Sequence, residues 1–137
     1  MNVLVHVTRP YPVVMWDLIA SCLRSAGHTP LMSHHDGYIG LDALVVVTFV
    51  GFSCDVVAKG PDDRPIANEV LGKILEEKLI YYRGTRDLDD RAPGATPMVQ
   101  VLLPVTMREE VLPVWANAIA TGVSEFLAKK RKRVEAK

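Results

Sequence analysis

The sequence is short of several things, and each shortage excludes a class. Two cysteines, Cys22 and Cys54, are too few to form a disulfide scaffold. There is no excess of either charge: 16 Lys and Arg face 16 Asp and Glu, and the pI is about 6.9. A protein that lives on nucleic-acid phosphates carries a basic surplus, so a nucleic-acid partner is not expected. No apolar run reaches the ~18–20 residues of a membrane span. The start, Met1-Asn2-Val3-Leu4-Val5, lacks the basic region and long apolar stretch of a signal peptide. No G-x-G-x-x-G follows the first apolar run, and no Walker lysine occurs, which weakens dinucleotide and NTPase readings. Neither cysteine has a histidine at ligand spacing, so no metal centre is expected. His34-His35-Asp36 reads as a solvated loop.

What is present is a core. The 137 residues (15.1 kDa) are 49% hydrophobic and 23% charged, which suits one domain over 1–137. A reduced, cytoplasmic protein is expected. Val3–Val7 and Leu44–Val50 are β-branched and nearly all apolar, the pattern of strands buried on both faces. Met15, Leu18, Ile19, Cys22, Leu23 and Ala26 keep helical spacing, with Gly27 placed to end that helix. A short strand is expected within 28–33. Pro65 opens a second helix to about Lys78, with Ile66, Val70 and Ile74 on its inner face. Leu79–Tyr82 and Met98–Leu103 read as strands. The segments 50–65 and 83–97 read as loops. Thr106-x-x-Glu109 has capping-box spacing ahead of a third helix that carries Val111, Leu112, Trp115, Ile119, Val123 and Phe126. That helix ends in a basic stretch, 129–137, expected to be frayed and solvated.

The order predicts a three-layer α/β/α domain, Rossmann-like (flavodoxin-like), with a largely parallel sheet of about five strands. Ligands of such sheets sit beyond the carboxyl ends of the strands, which directs attention to 8–12, 50–65 and 83–97.

The carboxylates are the chemical signal. Asp42 precedes the apolar run at 44–50. Asp62 and Asp63 precede the second helix, and Glu69 lies in its second turn. A helix N-terminus keeps a nearby carboxylate ionised, and such a carboxylate can attack a sugar carbon while a second acid protonates the leaving group. The structural alternatives are that Asp63 caps the helix and that Glu69 pairs with Lys73 at i, i+4.

The spacing also resembles a known family. Gly40-Leu41-Asp42-Ala43-Leu44-Val45-Val46-Val47, the acid spacing of Asp63-Arg64-Pro65-Ile66-Ala67-Asn68-Glu69, the strand and polar loop Leu79–Asp87, Thr96-Pro97-Met98 and the Gly27-His28 turn follow one another as in the nucleoside 2-deoxyribosyltransferases. Pro65 stands where that family has glycine, Thr96 where it has asparagine. The family's first-strand tyrosine is replaced: His6 is nearest, with Tyr11 downstream. The resemblance implies Glu69 as nucleophile on a 2-deoxyribosyl group, with Asp63 or Asp42 binding the base and protonating it as it leaves. It implies a substrate pocket including His6, Tyr11, Asp62, Arg64 and Met98. Arg64, Arg83 or Arg86 would take a 5′-phosphate. No cofactor is implied. The partners would be a nucleoside or nucleotide and further copies of the chain. Hydrolysis of nucleoside 5′-monophosphates at the same site, or nucleotide binding without catalysis, are the alternatives.

Overall fold

The computed structural model describes residues 1–32, 40–77, 82–87, 91 and 94–135, with 82–87 and 134–135 as backbone. The elements are β1 (Asn2–Val7), α1 (Pro12–Ser25), β2 (Thr29–Met32), β3 (Leu41–Phe49), β4 (Cys54–Ala58), α2 (Arg64–Glu76), β5 (Tyr82–Asp87), β6 (Met98–Leu103) and α3 (Leu112–Glu135). They form a central sheet flanked by helices. Among the described residues the sheet has six strands in the order β2-β1-β3-β6-β4-β5, one more than the about five the sequence suggests. Four pairings are parallel, and β4 runs antiparallel to β6. The additional strand is β4. Asp55 interrupts its apolar run, which is why it reads as loop. The described part of β5 runs past the expected Tyr82 to Asp87. As an edge strand it tolerates the polar run Arg83–Asp87. The expected strand residues 79–81, like His34-His35-Asp36, lie outside the described residues.

Alternation decides the packing. Val5, Val45 and Val99 are register partners on neighbouring strands, and so are Val7, Val47 and Val101; all point to one face and are almost fully buried. Against that face lie the three helices in a row. α1 packs on β1 and β2, and α2 packs on β4 and β6. α3 lies between them, touching both helices and β3. Met15, Ile19 and Leu23 of α1, and Ile66, Val70 and Ile74 of α2, have no exposed surface. Burial of each such large aliphatic side chain contributes about 1.5–3 kcal/mol. The segment Glu109–Arg133 is long and apolar enough to cross a bilayer by length and composition, yet 56% of its most apolar 18-residue window is buried against the rest of the fold, as in a core helix.

The opposite face of the sheet is less covered. Leu4, Leu44, Val46 and Leu102 are half-buried there, His6 is exposed, and Gln100 Nε2 donates to Thr48 Oγ1 at 3.1 Å. Asp55 and Val57, on the same face of β4, are buried.

Two local details place the groups discussed below. α1 ends in a Schellman motif: Gly27, at φ 86°, donates to Arg24 O at 2.9 Å, and His28 N donates to Leu23 O at 2.9 Å. Gly122 of α3 lies directly against α2, where a Cβ would come within 2.5 Å of Val70 Cα. The third helix starts at Leu112, after a 3-10 turn over Glu109–Val111 without a side-chain cap, so the Thr106 capping box does not form.

Candidate functional site

The strands β1, β3 and β6 begin at one edge of the sheet and end at the other. The acidic residues singled out by sequence gather at the edge where these strands begin. Each already has a partner there.

Asp63 is 2% exposed and sits at the N-cap position of α2, but makes no capping hydrogen bond. Both of its oxygens accept from Arg91 Nη1, at 2.8 and 3.0 Å, and Oδ1 also accepts from Met98 N at 2.8 Å. Arg91 in turn donates Nη2 to Thr96 O at 2.8 Å and its backbone N to Lys59 O at 2.9 Å. The result is a strap holding the start of α2 to the start of β6. Gly60 makes room for it, since a Cβ there would come within 3.0 Å of Arg91. Asp62 Oδ2 accepts from Gly94 N at 2.6 Å on the same strap. Asp42 Oδ2 accepts from Asn2 N at 2.8 Å and joins β3 to β1. Glu69 faces α3 and is ion-paired with Lys129. Lys73 bonds Glu76 and Glu125, each at 2.8 Å, rather than Glu69. Those two carboxylates push the Lys73 pKa up, Glu125 contributing more than Glu76.

Of the other expected pocket residues, His6 and Tyr11 do not join this edge. His6 lies on the less covered face of β1. Tyr11 is at the far edge, where its hydroxyl donates to Met107 O at 3.0 Å and its ring meets Phe49 edge-on with centroids 5.5 Å apart. Arg64 is exposed on the first turn of α2. Met98 contributes its backbone N to Asp63. Asp62, Asp63 and Met98 are thus brought together, while Asp42, Glu69, His6 and Tyr11 are apart from them. The side chains of Arg83 and Arg86 lie outside the described residues.

Among the described residues no three His, Cys, Asp or Glu converge as metal ligands. Cys54 is buried, and burial together with the Asp55 charge pushes its thiol up to about 11. It is therefore a neutral thiol near pH 7, unsuited to nucleophilic attack. Burial also raises the Cys22 pKa.

A further concavity was not foreseen. A pocket of about 510 Å³ opens between the Gly27-His28 turn and the last turns of α3, walled by Ser124, Leu127, Arg131 and Lys132. A shallower groove of about 310 Å³ continues from it between α1 and α3, lined by Ser21, Ser25, Asn117 and Thr121. His28 Nδ1 is buried without a hydrogen-bond partner. Burial lowers the His28 pKa, the Met1 ammonium lowers it further, and the Asp42 carboxylate opposes them. The basic end of α3 is not frayed: the helix continues to Glu135, Lys129 holds Glu69, and Lys130 Nζ donates to Asp42 O at 3.3 Å. The Gly27-His28 turn and the basic run at 129–133, about a hundred positions apart in sequence, were the available signals, but only the fold shows that the two meet.

No protein-family model matches the chain, and no curated protein matches it in sequence. Solved structures do match its fold. One is the N-acetylmuramoyl-L-alanine amidase AmiC2 of Nostoc punctiforme, at TM-score 0.65 and 15% identity, covering 96% of this chain and 97% of that one. Another is the catalytic domain of CwlV, an N-acetylmuramoyl-L-alanine amidase from Bacillus (Paenibacillus) polymyxa var. colistinus, at 0.59 and 14%, covering 96% and 99%. A third is the catalytic domain of the CD27L endolysin targeting Clostridia difficile, at 0.62 and 13%, covering 91% and 97%. At these identities the likeness is one of fold: the chain matches a three-layer α/β fold, and its described helices cover one face of the sheet.

These findings correct the deoxyribosyltransferase expectation. Two of these fold neighbours are N-acetylmuramoyl-L-alanine amidases and the third is an endolysin catalytic domain; none of the three is a nucleoside enzyme. The spacing of Asp63 and Glu69 has a structural cause: one anchors the strap to Arg91, the other pairs two helices. Glycosyl transfer through Glu69, nucleotide hydrolysis and a nucleoside partner fall with that resemblance. The expected homo-oligomer rested on it and loses that support.

Proposed function

We propose that this chain is a peptidoglycan amidase domain, acting on the amide between N-acetylmuramoyl and L-alanine. One observation carries the reading: the likeness to amidase catalytic domains runs over nearly the whole of this chain and nearly the whole of theirs. Hydrolysis of that amide adds water across the C–N bond, leaving a carboxylate on the muramoyl side and a free amine on alanine. The step needs a base for the water and donors for the oxyanion. On the less covered face of the sheet, the described polar side chains include His6, the Thr48–Gln100 pair and Asp55. His6 is the exposed titratable group among them and is the residue to which we assign the base.

A second reading has its own support. Asp42, Asp63 and Glu69 are all committed to structural contacts, which favours a domain that binds peptidoglycan without cutting it. Incubation with purified peptidoglycan separates the two. Release of new alanine amino groups, reduced about a hundredfold or more in His6→Ala, is the expected result for the amidase. Co-sedimentation with peptidoglycan and no release identifies the binding domain. Neither cleavage nor co-sedimentation by a folded protein overturns both.

A further inference from the structure

We propose that the pocket between the α1 turn and the end of α3 binds the free α-carboxylate of a short peptide, whose chain lies along the α1–α3 groove. The site is built from three kinds of surface in the right order. At its lower end Arg131 and Lys132 supply adjacent cations on one turn of α3. Guanidinium and ammonium groups give a carboxylate charge-assisted hydrogen bonds, stronger than neutral ones. Beside them Ala26, Leu127 and Ala128 form a small apolar wall, which suits a short aliphatic side chain. Above them Ser21, Ser25, Asn117, Thr121 and Ser124 line the groove with hydroxyl and amide groups, which suit a peptide backbone that must both donate and accept. A pocket of about 510 Å³ is within the ordinary range for a bound small molecule.

The charged side chains among those lining the pocket, Arg131 and Lys132, are both cations, which favours an anion. The opposing charge acting on His28 is Asp42, whose carboxylate is occupied by Asn2 N and whose carbonyl takes Lys130. A bound carboxylate would stabilise the imidazolium of His28, so its titration reports occupancy. The inference stands apart from the hydrolytic reading: a chain that never cuts an amide would still satisfy it.

The test uses the full chain and two probes, acetyl-trialanine with a free carboxylate and the same peptide as its C-terminal amide. Binding is followed by calorimetry and by the NMR titration of His28. The acid is expected to bind saturably at one site and to raise the His28 midpoint. The amide is expected to bind at least about tenfold more weakly, the loss set by one charge-assisted interaction. The pair Arg131→Gln and Lys132→Gln should weaken the acid by a similar factor. Ala128→Trp, at an exposed position, should block it while leaving the melting temperature unchanged. Equal binding of acid and amide overturns the proposal. So does undiminished binding to either variant, or the lack of any saturable signal at millimolar peptide.

Discussion

The two edges of the sheet are built from opposite materials. Where β1, β3 and β6 begin, charged groups do the holding: Asp63 with Arg91, Asp42 with Asn2, Glu69 with Lys129. Where those strands end, the loops are held by backbone hydrogen bonds and one aromatic lock. Thr8 N donates to Val47 O, Val50 N to Leu103 O and Val105 N to Gly51 O, with Tyr11 packed on Phe49. That end exposes Val13, Val50, Phe52, Val105, Val111 and Val114. Charge density, which drew attention to the first edge, there marks structure. Buried carboxylates with a full set of donors are anchors, and the same residue types left solvated would be reagents.

The comparison can be broken most directly at Asp63. Asp63→Ala leaves Arg91 partly buried without its carboxylate and Met98 N without an acceptor. The expected loss is about 3–5 kcal/mol in urea unfolding. A loss below about 1 kcal/mol, the worth of an exposed pair, would show that the strap is not an anchor. Gly122→Ala comes next. It forces α3 off the α2 backbone at Val70, an overpacking cost of about 1–3 kcal/mol, read from the same experiment.

Cys54 tests the interior by pH. Its folded pKa, about 11, lies above its ordinary value of 9.0, so the fold favours the protonated thiol. That contribution is complete below pH 9 and is lost as pH rises towards 11. Unfolding midpoints of wild type and Cys54→Ala should therefore converge over that range. A constant gap would contradict it. At the opposite edge Tyr11→Phe removes only the bond to Met107 O and should cost about 1 kcal/mol. Phe52, 81% exposed, gives the smallest effect: Phe52→Ser should change stability by no more than about 0.5 kcal/mol. A large loss there would mean that the apolar edge is packed in solution.

The elements with strong period were legible. β1, β3, β6 and α1 follow from runs such as Leu44–Phe49 and from the Met15–Leu23 stripe, because burial on the sheet and against it imposes those patterns. β4 was hidden by Asp55, since a charged residue inside a five-residue strand looks like a turn. The site was not legible for a different reason. A carboxylate's role depends on what reaches it through space. Arg91 comes to Asp63 from 28 positions away, and Lys129 comes to Glu69 from 60. Spacing of Asp63 and Glu69 along one helix says nothing of either partner, and the motif match mistook two anchors for an acid and a nucleophile.

The strand order has a consequence for how the molecule is made. β6 is the last strand in the chain, yet it lies in the middle of the sheet, hydrogen-bonded to β3 on one side and β4 on the other. As the chain leaves the ribosome, β1, β2 and β3 can assemble, and so can β4 with α2 and β5. The two pieces have no common strand until Met98–Leu103 emerges. Until then β3 and β4 each have one side of unpaired backbone groups, the kind that adds to any similar edge nearby. Any chain stopped before position 98 is thus two sticky half-sheets, and the arrival of six residues converts them into one closed domain.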